Sequence, residues 1–451
     1  MTQMNETSAS QSTYPDERYS WYVVGVLLFA YVFSYIDRTI LTLLVEPIRA
    51  SLQISDTQIS LLHGLAFAIF YTLLGIPIGW LADRGNRVKI ASAGVFLWSL
   101  ATAFCGLANS FISMFIARVA VGVGEAALSP SAYSMLADYF RPAKLARALS
   151  AYNAGLFVGS GLAIVIGSVV IEMTPALDLP ILGHLEPWQV TFLYVGLPGV
   201  LVAAWLYSVR EPARLGSTPQ EAESIGLVQH VAQGLKYMRR RPGAYFFHIT
   251  GFSFYAFIWT GTSFWIPTYF IRTFGWTVGD LGTTYGLIVV IFGILGVTSG
   301  GILAGRLREK GYLDAEIRTG IFGVSMTLPF GILAPLSPNP TLALIGFAGL
   351  TFFTSFPWGA ATAALQIITP NRLRAMISAI FLCIINIAGI GVAPTVFALI
   401  TDTVFGYDGA VKYALSIGVG IAAPLSGYLL WRCLKPYRAA AEDFAMDTSG
   451  N

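Results

Sequence analysis

Charge is scarce in this sequence: Asp, Glu, Lys and Arg make up 11% of its 451 residues, against about a quarter in an ordinary soluble domain. With 55% hydrophobic residues and a mean hydropathy of +0.67, the composition excludes a soluble globular domain and reads as an integral membrane protein. Cysteine is just as sparse. Cys105 and Cys383 fall within apolar stretches and Cys433 at the end of one, with no CxxC spacing, so the three read as small packing residues rather than disulfides or metal ligands. The four histidines, at 63, 184, 230 and 248, are scattered, and neither H-E-x-x-H nor G-x-S-x-G occurs, which argues against an intramembrane enzyme. There is no Gly-Lys pair anywhere, so an ATP-driven pump would lack its phosphate loop. The net charge of +3 and pI near 8.6 are too mild to call for nucleic acid. The opening MTQMNETSASQSTYPDERYS lacks the basic-then-apolar order of a cleavable signal peptide, so the first apolar segment is expected to be retained.

Long apolar runs fill the rest. A window of about 19 residues predicts twelve spans, near 20–45, 57–81, 89–108, 111–137, 145–171, 189–209, 243–271, 281–305, 316–336, 340–367, 373–400 and 410–433. Most reach the 18 or so residues needed to cross about 30 Å of hydrocarbon as helices. Basic residues test the count. With the N-terminal tail inside, 22 of the 27 Lys and Arg fall on the inner side, only Arg49, Arg272 and Lys412 fall outside, and Arg38 and Arg118 lie within spans. That asymmetry predicts twelve spans with both termini cytoplasmic. The expected organisation is a tail over 1–19, a six-helix bundle over 20–209, a cytoplasmic linker over 210–242, a second bundle over 243–433 and a tail over 434–451. Within the linker, Leu227, Val228, Val231, Leu235 and Met238 recur at helical spacing before Arg239-Arg240-Arg241, the pattern of an amphipathic helix on the inner leaflet. The halves repeat weakly. Gly79-Trp-Leu-Ala-Asp83-Arg84 matches Gly301-Ile-Leu-Ala-Gly305-Arg306 after the second span of each half. Two repeats with a site between them is transporter architecture.

The fourth span carries Arg118 and Glu125 in its interior, where a charge costs roughly 2.5–3.5 kcal/mol on insertion scales. Seven residues apart, they share one helix face, and Gly122 and Gly124 between them admit a close neighbour. Asp37-Arg38 lies within the first span. Counted inward from the outer ends, Asp37 sits about 12 Å deep and Arg118 about 10 Å, so those two could meet. Ionisable groups at membrane depth default to function. A carboxyl in a low-dielectric setting holds its proton more tightly, and a nearby guanidinium restores the ionised form, which makes Asp37 and Glu125 the candidate proton carriers. Arg38 and Arg118 are candidates to pair with a substrate phosphate or carboxylate. His63, near the outer end of the second span, is a further candidate for proton traffic, since imidazole titrates near neutrality. The seventh span instead carries a dense aromatic run from Phe246 to Phe270, including Tyr255 and Trp265. Together these predict an amphipathic cavity with a charged N-terminal wall and an apolar C-terminal wall lined by Trp265 and Tyr255.

Gly79-x-Leu81-Ala82-Asp83-Arg84-x-x-Arg87-x-Lys89 and Arg118-x-x-x-Gly122-x-Gly124-Glu125-Ala126 resemble the signature loop and the helix 4 motif of the major facilitator superfamily. Tyr35-x-Asp37-Arg38, the GVGEA run, Val158-Gly-Ser-Gly-Leu162 and Trp265-Ile-Pro267 resemble its Spinster branch. The resemblance implies an all-helical fold of two six-helix pseudo-repeats and an inner gate built from Asp83, Arg84, Arg87 and Asp138. It also implies transport of lysolipid or sphingolipid-like molecules. The expected function is therefore secondary active transport of an amphipathic, lipid-like substrate, driven by a proton gradient without a cofactor, by a monomer in a bacterial plasma membrane. A symporter of small organic anions, or a sensor that binds without transporting, is the alternative. A wholly apolar wall on helices 7, 8 and 10 would favour lipid over anion.

Overall fold

The computed structural model describes residues 14–180, 183–214 and 227–449. Its N-terminal half holds α1 (Glu17–Leu43), α2 (Asp56–Ala82), α3 (Arg87–Cys105), α4 (Phe111–Tyr139), α5 (Arg147–Met173) and α6 (Pro187–Tyr207). The C-terminal half holds α7 (Pro242–Phe274), α8 (Val278–Glu309), α9 (Ala315–Leu333), α10 (Pro340–Ile367), α11 (Met376–Phe405) and α12 (Asp408–Phe444). Ten of these, all but α7 and α9, are long and apolar enough to cross a membrane. The physical reason for the exceptions is plain: α7 is rich in Tyr, Trp, Ser and Thr, and α9 carries Glu316 and Arg318 in its first turn. Between the halves lies a linker helix, Leu227–Arg240. Its Gly234 lies against α11, where a Cβ would come 3.2 Å from Met376 Cγ, and it leaves Val228 and Leu235 exposed. A short hairpin of β1 (Leu177–Leu179) and β2 (Gly183–Leu185), absent from the sequence reading, joins α5 to α6.

Small residues set the helix spacing. A Cβ on Gly122 would lie 2.6 Å from the Phe67 carbonyl of α2, and one on Gly124 would lie 2.6 Å from the Trp98 amide of α3. The two glycines of α4 thus serve two different neighbours. Between the halves, a Cβ on Gly286 of α8 would lie 2.7 Å from Val165 of α5, and one on Gly64 of α2 would lie 2.6 Å from the Ile390 carbonyl of α11. Gly64 also marks a break in α2, and α11 passes through two π-helical segments, Ile387–Val392 and Ile400–Phe405. Such local irregularities recur at functional sites.

The two ends differ. At the end expected to be outer, Arg272 of α7 grips Asp56 of α2 with both terminal nitrogens, at 2.6 and 2.7 Å, and Glu46 through Nε at 2.7 Å. Arg49 adds contacts to Asp56 at 3.0 Å and to Asp408 at 3.1 Å. Asp402 accepts from the amide and hydroxyl of Thr57 at 2.8 and 2.7 Å. These bonds tie half to half. At the other end, Arg87 binds Asp138, Glu211 and the Pro212 carbonyl within the N-terminal half, and Arg308–Glu316 and Arg438–Asp314 lie within the C-terminal half.

Candidate functional site

A cavity of about 130 Å³ lies between the halves. That is roughly ten times what one water needs. Its N-terminal wall carries Arg38, His63 and Arg118 with Tyr35 and Phe67, and its C-terminal wall carries Trp259, Phe264 and Tyr285 with Thr260, Ser263, Thr351 and Ser355. Among the described residues the lining holds two arginines, one histidine and no carboxylate. The cavity is a cationic one.

Helix geometry explains which charges reach it. Consecutive residues point about 100° apart around a helix, so of the pair in α1 Arg38 lines the cavity and Asp37 does not. Arg38 is boxed by three rings, with its guanidinium carbon 4.6 Å from the centroid of Phe67, 4.7 Å from Tyr71 and 5.1 Å from Tyr35. Its Nε and Nη2 both lie 2.5 Å from Glu125 Oε2. Arg38 binds Glu125, whereas Asp37 and Arg118 lie close enough to interact electrostatically but form no ion pair among the described residues. Depth along the membrane normal brought Asp37 and Arg118 level, but rotation about the axes decides the partners.

Arg118 is fully buried, donates from Nε to the Leu62 carbonyl at 3.3 Å, and leaves Nη1 and Nη2 without a hydrogen-bond partner among the described residues. Its guanidinium carbon lies 5.7 Å from the centroid of the Phe67 ring, which Arg38 also contacts. Buried donors are almost always bonded. Two donors not used by the protein on a cavity-lining arginine can bind an acceptor on a ligand. Asp37 is likewise fully buried; neither carboxylate oxygen meets hydrogen-bond geometry with any described residue, although Trp98, Thr102 and Arg118 are its polar neighbours. His63 lines the cavity with its ring centroid 4.3 Å from that of Phe264 and its Nδ1 unpartnered.

Two aromatic expectations shift. Trp265 lies outside the lining and donates from Nε1 to the Pro394 carbonyl at 2.9 Å, and Tyr255 is buried with its hydroxyl on the Phe353 carbonyl. Both bind backbone where helices break or bend. Trp259, Thr260, Ser263 and Phe264 face the cavity instead, one stripe at i, i+1, i+4 and i+5 of a helix whose aromatics surround it. The wall of α7, α8 and α10 is therefore not wholly apolar. Its hydroxyls carried no signal in hydropathy, although Pro357, two residues after Ser355, marks the break where that serine sits.

Of the expected gate residues, Arg87 and Asp138 meet in a buried ion pair, and Arg84 stacks on Trp80 with its guanidinium carbon 4.1 Å from the ring. The side chain of Asp83 lies outside the described residues.

A family model for the Major Facilitator Superfamily matches residues 27–394. The chain belongs to that superfamily. Human protein spinster homolog 1 is 28% identical over 403 residues, which cover 84% of this chain and 72% of the relative. The hexuronate transporter of Bacillus subtilis is 24% identical over 418 residues, covering 90% and 93%. Among solved structures, a bacterial homolog of the human lysosomal transporter Spinster, in an inward-facing and unoccupied conformation, superposes with a TM-score of 0.78 at 26% identity, covering 96% of this chain and 99% of that one. The chain is a multi-pass membrane transporter of that superfamily.

Proposed function

We propose that this protein is a proton-coupled secondary transporter with twelve spans and both termini cytoplasmic. It moves an amphipathic, lipid-like molecule with an anionic or zwitterionic head by alternating access. The observation that carries the reading is the cationic cavity whose arginines are flanked by aromatic rings. An anionic head accepts from Arg118 and an apolar body lies against Phe67, Phe157 and Trp259. Protonation of Glu125 releases Arg38 from its ion pair and changes the charge of the wall. Asp37, buried behind that wall, is the second proton carrier. The protein works as a monomer without a bound cofactor. The test is uptake in sealed proteoliposomes of a fluorescent lysolipid, with and without an imposed pH gradient; a lysolipid flux indifferent to the gradient would end the proton-coupled reading.

The hydroxyls on α7 and α10 favour a second reading, a symporter of small organic anions on the same fold. Movement of a small carboxylate alone in the same vesicles selects it.

The conformation is read as sealed on the outside by Arg272, Arg49 and Asp56. Breaking one partner of a buried pair costs about 3–5 kcal/mol, discounted here because Arg49 still binds Asp56. Arg272→Ala is expected to populate an outward-open state. In a Ser60→Cys background, whose position lies beneath the latch with its hydroxyl 3.2 Å from Thr395, a membrane-impermeant maleimide should label the variant from outside several-fold faster than the parent. Equal labelling rates would remove the latch from the mechanism. Arg84, Arg87, Asp83 and Asp138 are assigned to the inner gate, where the Arg87 ion pairs keep the N-terminal half rigid as it rocks.

A further inference from the structure

Serine and threonine inside membrane helices ordinarily return their hydroxyl to a carbonyl one turn back, as several here do. Thr42, Ser160 and Thr260 on the cavity wall bond to Thr39, Leu156 and Ala256 at 2.6, 2.7 and 2.8 Å, and Thr354 bonds to Leu350 at 2.8 Å. Ser355 breaks the pattern. It lines the cavity, is fully buried, and its hydroxyl has no hydrogen-bond partner among the described residues. It ends the first segment of α10, Pro340–Ser355, just before Pro357. Its position is fixed from behind: a Cβ on Gly296 of α8 would lie 3.1 Å from the Ser355 Cβ. Thr351, one turn earlier on α10, lines the same cavity beside the hydroxyl of Tyr285. Opposite, on the N-terminal half, stand the two open donors of Arg118.

A buried hydroxyl left unbonded costs free energy unless a ligand or water completes it. The cavity thus has two polar poles on two different halves, a guanidinium and a hydroxyl cluster, separated by rings. Resting on the transporter reading above, we propose that Ser355, with Thr351, forms a hydroxyl-recognition subsite, and that the substrate is an anion bearing hydroxyl groups a short distance from its charge. A substrate that touches both poles also bridges the two halves. Its binding then draws the halves together, which an anion held by Arg118 alone would not do. Two sources supply this chemistry: a free polyhydroxy acid, or the glycerol-phosphate head of a lysolipid.

Matched probes separate them. Equilibrium binding to the purified full chain is measured for glucuronate against cyclohexanecarboxylate, and for lysophosphatidylglycerol against lysophosphatidylethanol. Within each pair the charge is kept; the first pair removes every hydroxyl, and the second removes the headgroup hydroxyls while both members keep the backbone hydroxyl common to all lysolipids. In at least one pair the hydroxylated member should bind about tenfold tighter or more, and Ser355→Ala should bring that ratio close to one. Thr351→Val serves as a second variant and should narrow the same ratio. The pair that shows the preference names the source. Parity in both pairs, binding of none of the four probes, or a ratio that survives both substitutions would overturn the subsite. Proton-driven accumulation is read separately in vesicles, so a protein that keeps the hydroxyl preference but ignores the pH gradient refutes the coupling and leaves the subsite standing.

Discussion

Glu125→Gln is expected to abolish uphill, gradient-driven accumulation while sparing downhill exchange. Glutamine keeps the size and the accepting oxygen that faces Arg38 but fixes the group in its neutral form, so the variant resembles the wild-type protein with Glu125 protonated. The bond at stake is a charge-assisted one, with two nitrogens of Arg38 at 2.5 Å from a single carboxylate oxygen, inside a wall that excludes most water. Such bonds are roughly twice as strong as neutral ones. In wild type, exchange should speed up as pH falls, because protonation opens the ion pair. In the variant this acceleration should be lost, leaving only the pH response of Asp37, and accumulation ratios under an imposed gradient should fall to about one. The decisive comparison is counterflow against gradient-driven uptake in the same vesicles. Retained, pH-dependent accumulation in Glu125→Gln would exclude Glu125 as a carrier. Glu125→Ala should cost less than the roughly 3–5 kcal/mol of a fully buried broken pair, because Arg38 is 14% exposed at the cavity and keeps its three rings.

Arg118→Met should separate function from stability. Two terminal nitrogens of Arg118 are buried without a hydrogen-bond acceptor among the described residues; Asp37 and Glu125 act on it only through space, and a buried charge that makes no bonded pair regains little of its desolvation cost. Methionine of similar length fills the space without charge. Thermal unfolding of the variant should therefore occur at the wild-type temperature or above it. Binding should move the other way: removing the donors that receive the anionic group costs on the order of 2–5 kcal/mol, at least a thirtyfold loss of affinity. Arg118→Lys should restore little, since a point ammonium cannot offer the planar pair of N–H groups. Loss of stability together with unchanged affinity would make Arg118 a structural residue and return the anion site to Arg38. Opposed changes in stability and binding are the signature of strain kept for function.

Much of this was legible without coordinates. Apolar runs, the 22-to-3 division of basic residues and the charges at 37, 38, 118 and 125 follow from composition and spacing, because hydrocarbon penalises every exposed charge and selects helices that bond internally. The close contacts at Gly122 and Gly124 were legible for the same reason: without a side chain there, backbones approach. Helix α7 was harder to read by hydropathy, since Tyr and Trp fill a buried wall yet count as polar. What spacing could not supply was rotation. Depth along the axis put Asp37 level with Arg118, yet the ion pair formed is Arg38–Glu125, because about 100° separates neighbouring side chains and the packing of α1 on α4 decides which one turns inward. The same uncertainty hid which aromatics of α7 face the cavity.

The sequence by itself determined that this chain is a helical membrane transporter with buried ionisable groups in its N-terminal half. That outcome follows from solvation, which acts residue by residue and is written in composition and periodicity. Only the tertiary structure decided which charges pair, that Asp37 sits behind the wall while Arg38 and Arg118 face the cavity, and that Ser355 completes a second polar pole across from them. Those are properties of helix rotation and of contacts between distant segments, and no local pattern encodes them.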